Sequence, residues 1–383
     1  MEYVVNLNIL APLVVSFGAF QGIILSMLLG ISSKYKFKPA RFFALLLLSI
    51  SAVNIYGAFD LVEVASTPLF EDYVPYFWVD LIPVSVYFFV TYLIDRNYAF
   101  TRKDSLFFVP AALSAGYQFY HFFQYLRWGP YDPQAYHAFN LTGNFFELFS
   151  SGFSVVVFLI CIKKLTAFQK QLMDFYSDVE SANLSWALRF LYIGLFIATC
   201  WVVVSFVNIY PGYFIKPLAI FTWLSITGLI YWTGASLLFR KSLLSRLPAL
   251  SDINPGSISP KEHTVCEFEE IGHVLQEHLH KHQPFLDADL TLRDLAKQMG
   301  TTDKKLSTYL NQHLSLNFSD FINGLRIETF KTRVQQGELA NYSIVGLAKT
   351  CGFKSKSSFY RSFKKLTGTT PSEYLGQLTK KAS

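Results

Sequence analysis

Two sets of side chains in this 383-residue sequence combine residue types and spacing that can do chemistry. The first is cationic and hydroxylic: Lys304, Lys305, Ser307, Thr308 and Asn311 share one short stretch, and Lys354, Lys356, Ser357, Ser358, Tyr360, Arg361 and Lys364 share a second. Apolar residues recur at i and i+4 in both, Leu306 with Leu310 and Phe359 with Phe363. A helix in each place therefore turns those residues inward and leaves the cations and hydroxyls on its other face. Such a basic face suits the phosphates and base edges of double-stranded DNA. A solvated face is the plain alternative, and its recurrence in two matched copies weighs against it. The second set is Asp60, Asp80, Gln118, His121, Asn144 and Glu147, polar groups set in long apolar stretches. Ionisable groups in such places are costly and normally face a bundle interior or water.

The elements that position these sets differ in kind. The chain is 52% hydrophobic and 16% charged, but residues 1–250 carry 16 Lys/Arg and 13 Asp/Glu, whereas the shorter remainder carries 17 and 14. A membrane-like part is joined to a soluble one. Seven apolar stretches, at 9–31, 42–62, 76–94, 105–126, 141–162, 187–209 and 218–239, approach the roughly 20 residues a membrane helix needs. The third and fifth contain an acid and are the weakest by hydropathy. Alternate connections hold 14 and 2 Lys/Arg, the richer set running from Lys34 to Arg246 and the poorer one holding only Arg127 and Lys216. Cations are retained in the cytoplasm, so the N-terminus is expected outside and the C-terminal part in the cytoplasm. The first residues lack a basic n-region and a cleavage site, and the first apolar stretch is expected to be retained.

In that orientation the second polar set comes from several helices and lies at one depth near the outer side. It forms either an outward ligand pocket, lined also by Tyr56, Tyr117 and Trp78, or a set of helix-end groups reaching for headgroup water, with Glu147 paired to His121 or Arg127. No metal or cofactor is expected. Cys161, Cys200, Cys266 and Cys351 are far apart, and His263, His273, His278, His280 and His282 have no cysteine or third ligand beside them.

Residues 247–261, with Pro248, Pro255, Gly256 and Pro260, read as a flexible linker, and an amphipathic helix is expected within 262–285. Beyond it the sequence repeats: LAKQMG at 295–300 returns as LAKTCG at 347–352. Each copy ends one short helix and precedes a second, with Ala296 or Ala348 allowing close crossing and Gly300 or Gly352 the sharp turn, the logic of a helix-turn-helix. N-caps are expected at Thr291, Asn317, Ser343, Ser355 and Thr370, and a helix over 318–335, about 27 Å long, separates the two units. Residues 287–381 carry 15 Lys/Arg against 8 Asp/Glu, a net of +7.

Residues 287–375 resemble the DNA-binding domain of the AraC/XylS family of bacterial transcription regulators. The resemblance is most specific across Ile344, Ala348, Gly352, Phe353, Ser357, Phe359, Arg361, Phe363, Lys364, Gly368, Thr370, Pro371 and Tyr374, with Arg326 and Ile327 in the intervening helix. It implies that helices 303–312 and 356–366 enter successive major-groove segments. Lys304, Ser307 and Thr308 would face DNA in the first, and Lys356, Ser357, Tyr360 and Arg361 in the second. Phe330 and Arg333 depart from the family pattern, a small Ala and an apolar residue respectively, and packing of the intervening helix is expected to differ there.

The expectation is an all-α chain: a seven-span bundle (1–246), a linker, a juxta-domain helix (262–285) and a cytoplasmic double helix-turn-helix domain (286–383). It would be a one-component regulator in a bacterial inner membrane, its partners promoter DNA, the lipid bilayer, a second copy of itself and an unknown small-molecule or protein signal. No catalytic constellation such as HExxH or GxSxG is present. Two alternatives remain: a transporter or membrane enzyme with a fused regulatory domain, and a passively anchored regulator.

Overall fold

The computed structural model describes residues 7–31, 38–61, 77–95, 97–129, 132–177, 184–210, 216–239 and 265–382. The expected linker 247–261, His263, and the side chains of Asp60 and Cys266 lie outside the described residues. The fold is helical; among the described residues the one β feature is an isolated antiparallel bridge between Tyr176 and Thr291. Two compact units divide the chain, Met1–Thr166 with Ser185–Ser251 and Ala167–Leu184 with Asp252–Ser383.

The first unit is built from α1 (Leu7–Ile31), α2 (Lys38–Leu61), α3 (Trp78–Ile94), α4 (Val109–Trp128), most of α5 (Pro133–Phe175), α6 (Ser185–Asn208) and α7 (Lys216–Phe239). Five of these contain segments long and apolar enough to cross a membrane: Leu10–Ile31, Lys38–Phe59, Ala138–Phe175, Ser185–Asn208 and Pro217–Ser236. Helix α3 is apolar but shorter, at 17 residues, and α4 is not among the five. Among the described residues, helices thus stand where the seven spans are expected, and five of them contain segments of membrane-crossing length and apolarity. Glu147 does not disqualify α5, whereas Tyr117, Gln118, His121, Gln124 and Arg127 dilute α4. Within the unit, buried polar side chains bond between helices, Ser26 Oγ to the Ala44 carbonyl at 2.7 Å and Asn54 Nδ2 to Thr227 Oγ1 at 2.9 Å. In an apolar interior these bonds replace hydration that is not available.

The second unit follows the expected repeat closely. Helix α8 (Val265–His282) is amphipathic; α9 (Leu292–Gln298) and α10 (Asp303–Thr308, continued by a π-helical turn at Tyr309–His313) form the first pair. The linker helix α11 (Phe318–Gln335) leads to α12 (Ile344–Thr350), α13 (Lys356–Thr367) and α14 (Pro371–Ala382). Each pair has its own core. Leu292, Leu295, Ala296, Leu306 and Leu310 fill the first with Leu275 and Leu279 of α8, and Leu347, Ala348, Phe353, Phe359 and Phe363 fill the second. Helix α11 serves both, giving Phe318 and Ile322 to one and Ile327 and Phe330 to the other. The departure at Phe330 is explained: its fully buried ring lies 4.8 Å from that of Phe359 and 6.0 Å from that of Phe363. Arg333 pairs with Glu338 at 2.8 Å and donates to Thr350 Oγ1.

All five expected caps form. Thr291, Asn317, Ser343, Ser355 and Thr370 each accept the backbone N–H three residues on. Glu373 accepts in return from the Thr370 N–H at 2.7 Å, and this bond holds its carboxyl below the ordinary value of 4.5. With the folded value below the unfolded one, this contribution to helix α14 is complete above the ordinary value and is lost as pH falls through the lowered one. Hydrogen exchange in α14, corrected for intrinsic rates, should therefore accelerate in acid before that of α13, and Glu373→Gln should weaken that dependence.

Candidate nucleic-acid interface and polar cluster

Helix α13 places its residues by simple periodicity. Ser358, Phe359 and Phe363 are buried, whereas Lys356, Ser357, Arg361, Lys364 and Lys365 are exposed, and no acid lies in the helix. The Lys356 ammonium sits 5.3 Å from the centre of the Tyr360 ring, and the Tyr360 hydroxyl is 3.4 Å from Ser372 Oγ. Lys354, in the turn before the helix, is ion-paired with Asp289. Lys365 is held by both carboxylate oxygens of Asp320 at 2.7 Å, which ties α13 to the start of the linker helix.

In the first pair, Lys305 and Asn311 are exposed and Lys304 and Thr308 half-buried. Ser307 is buried and accepts from Asn311 Nδ2 at 3.3 Å, and Thr308 donates back to the Lys304 carbonyl. Ser307 and Ser358 therefore sit on the inner sides of their helices, while the remaining candidates lie on outer or flanking faces. The less basic α10 begins with Asp303, so the electrostatic weight falls on the second pair.

Several polar groups of the first unit find partners that sequence alone did not single out. Asp80, 4% exposed, lies beside Ser114 of α4 and Ser150 of α5. Gln118 Nε2 donates to Ser114 Oγ at 3.0 Å, and Asn144 Nδ2 to the Asn208 carbonyl at 2.9 Å. Glu147 Oε1 accepts from the Trp201 indole of α6 at 2.8 Å, a partner that sequence alone did not single out. The His121 ring packs on Tyr117 and Phe139, at 4.4 and 4.6 Å. Asp80 Oδ2 and Ser150 Oγ are buried with no hydrogen-bond partner among the described residues.

Nearby, Ile50, Val79, Ile82, Phe158, Phe190 and Trp201 line an apolar cavity of about 80 Å³. That is well below the roughly 300 Å³ at which small-molecule pockets begin. Trp201 faces both the cavity and Glu147. The His278 and His282 rings lie 4.8 Å apart, tilted to one another, and His278 contacts Gln298 Oε1, but among the described residues no group of three His, Cys, Asp or Glu comes together to hold a metal.

Residues 295–377 match the family described as helix-turn-helix domain. An uncharacterized HTH-type transcriptional regulator of Staphylococcus aureus (strain N315) is 32% identical over 116 residues, 30% of this chain and 13% of the relative. The uncharacterized HTH-type transcriptional regulator YtdP of Bacillus subtilis (strain 168) is 28% identical over 91 residues, 24% of this chain and 11% of the relative. The chain thus spans about an eighth of the length of these curated relatives. No solved structure matches it.

Proposed function

We propose, from the premise that residues 295–377 form an AraC-type helix-turn-helix domain, that this protein is a membrane-embedded transcription regulator of a bacterium. Its two helix-turn-helix units bind specific promoter DNA and its apolar helices sense a signal. The observation that carries the DNA reading is α13: an exposed face with Lys356, Ser357, Arg361 and Lys364 and no acid, backed by Phe359 and Phe363. A face of this kind neutralises phosphates and offers donors to base edges. Lys304, Lys305, Thr308 and Asn311 give α10 the corresponding, weaker role.

Membrane embedding is supported by helix faces that a soluble protein would cover. On α1 alone Leu13, Phe17, Phe20, Ile24 and Met27 are each at least half exposed. With the cation asymmetry, the orientation is N-terminus outside and DNA-binding part in the cytoplasm. The sensing role falls to the polar cluster around Asp80 and Glu147, because ionisable groups buried among apolar helices are expensive to keep without a function. A homodimer is the working assembly, since one subunit reads a short site.

Chromatin capture of the intact protein, with transcript profiling of the deletion strain, tests this reading. Discrete promoter segments should be enriched and their transcripts should change. Absence of any enriched segment would refute the DNA role. In the same assay Asp80→Asn and Glu147→Gln should alter the transcripts without lowering the amount of protein in the membrane; unchanged transcripts with both would remove the cluster from signalling.

A further inference from the structure

The linker helix α11 carries a buried polar column. Ser319, Asn323 and Arg326 lie at i, i+4 and i+7, a single helix face, and are 8, 4 and 1% exposed. Buried polar groups need partners, and a buried guanidinium needs several. Part of the demand is met just ahead of the first pair: Arg326 donates to the carbonyls of Phe285 and Asp287, each at 2.7 Å. The column also bonds within itself, Arg326 Nη1 to Asn323 Oδ1 at 3.3 Å and Asn323 Nδ2 to Ser319 Oγ at 3.2 Å, and further bonds come from one residue far away in sequence. The Ser177 carbonyl accepts from Ser319 Oγ and from Asn323 Nδ2, both at 3.1 Å, and Ser177 Oγ accepts from Arg326 Nη2 at 3.2 Å while donating to the Leu290 carbonyl at 2.8 Å.

The residues before Ser177 are engaged as well. Tyr176 makes the antiparallel bridge to Thr291, Phe175 packs against the first core, and Asp174 lies beside the Asn311 side chain. Four consecutive residues thus each have a partner in the C-terminal helical sequence: Asp174 and Phe175 in the first pair and its core, Tyr176 at the cap of α9, and Ser177 in the linker helix. They lie at the end of α5 and in the connection to α6, two helices with segments of membrane-crossing length. The C-terminal unit accordingly includes Ala167–Leu184, and the chain passes between the two units at three places instead of through one flexible linker. The contact reaches both elements that govern DNA engagement: Ser177 holds the helix that spaces the two pairs, and Asp174 sits on an exposed polar residue of the first recognition helix.

We propose that the end of α5 and the first residues after it, 174–177, are the input contact through which the membrane part restrains the first helix-turn-helix unit, competing with DNA for Asn311 while seated on the linker helix. This rests on the DNA-binding reading above. A carboxylate on the recognition helix opposes phosphate approach, and movement of α5 relative to α6 acts directly on Ser177.

The test uses the full-length protein in lipid nanodiscs and a labelled duplex cut from the most enriched captured segment. Asp174→Ala should tighten binding by roughly five- to tenfold, and in an Asn311→Ala background should add almost nothing, the signature of a coupled pair. Unchanged affinity, or a gain that persists in the Asn311→Ala background as simple removal of charge would give, overturns the proposal. Hydrogen exchange supplies a readout independent of DNA: Ser319→Ala with Asn323→Ala should speed exchange at 174–177 and α10 and leave α13 unchanged. A uniform acceleration across the whole C-terminal unit would show a structural role only and overturn the input role. If the wild-type protein binds no duplex, the DNA-binding reading fails with it; if it binds and the variants match it, only the input contact fails.

Discussion

Replacing Gly352 with alanine should unfold the second helix-turn-helix pair, whereas the same change at Gly300 should be tolerated. Both glycines close a repeat and both are left-handed, with φ of +94° and +67°. Their surroundings differ. A Cβ at 352 would stand 2.5 Å from the Phe285 carbonyl oxygen and 2.8 Å from Arg326 Nε, while nothing lies within 4 Å of one at 300. At Gly300 the cost is backbone strain, about 1–2 kcal/mol. At Gly352 a steric term of about 1–3 kcal/mol or more adds to this, because the obstacle is a carbonyl already bonded to a buried arginine and neither can retreat cheaply. A total of about 2–5 kcal/mol is a large fraction of what holds a domain together. Exchange protection of the core amides of α12 and α13 measures it, and equal loss in the two variants would show that the close approach at 352 is not a constraint.

The second large effect is on DNA. Arg361→Ala and Lys356→Ala should each weaken binding by about tenfold at moderate salt, and each phosphate contact removed should reduce the slope of log affinity against log salt by about one. Both residues are exposed, so the fold should survive. Lys365→Ala is the instructive comparison. It is another cation of the same helix, but its ammonium is committed to Asp320, and its loss should change affinity less while loosening α13 from the linker helix. Binding isotherms at several salt concentrations separate these outcomes. Full retention by the Arg361 and Lys356 variants would remove the assigned contacts, and the larger loss in Lys365→Ala would move the interface to the flank of α13.

Much of the C-terminal unit was legible beforehand because its signals are short-range. The i, i+4 spacing of Leu306 and Leu310, or of Phe359 and Phe363, concerns residues one turn apart, and each cap joins residues three apart. Such relations are written in neighbouring letters. The first unit was less legible. Hydropathy located its helices, but it placed Glu147 and Asp80 only at one depth and did not identify Trp201, Ser114 and Ser150 as their neighbours. Those neighbours come from other helices, and the rotation of one helix against another is set by packing that periodicity does not encode.

The sequence by itself determined the helical class, the repeated unit with its caps and turns, and the basic outer face of α13, since each follows from local geometry and side-chain chemistry. Only the tertiary structure decided which of two equivalent glycines is irreplaceable, which of several lysines are already paired, and why Phe330 and Arg333 fit where the family pattern has other residues. It alone decided that Ser177 completes the hydrogen bonding of a helix more than 140 positions away. The physical reason is common to all of these. A buried guanidinium or amide must find acceptors, and which acceptors are within reach depends on how distant segments meet in space, a relation that no window of neighbouring residues contains.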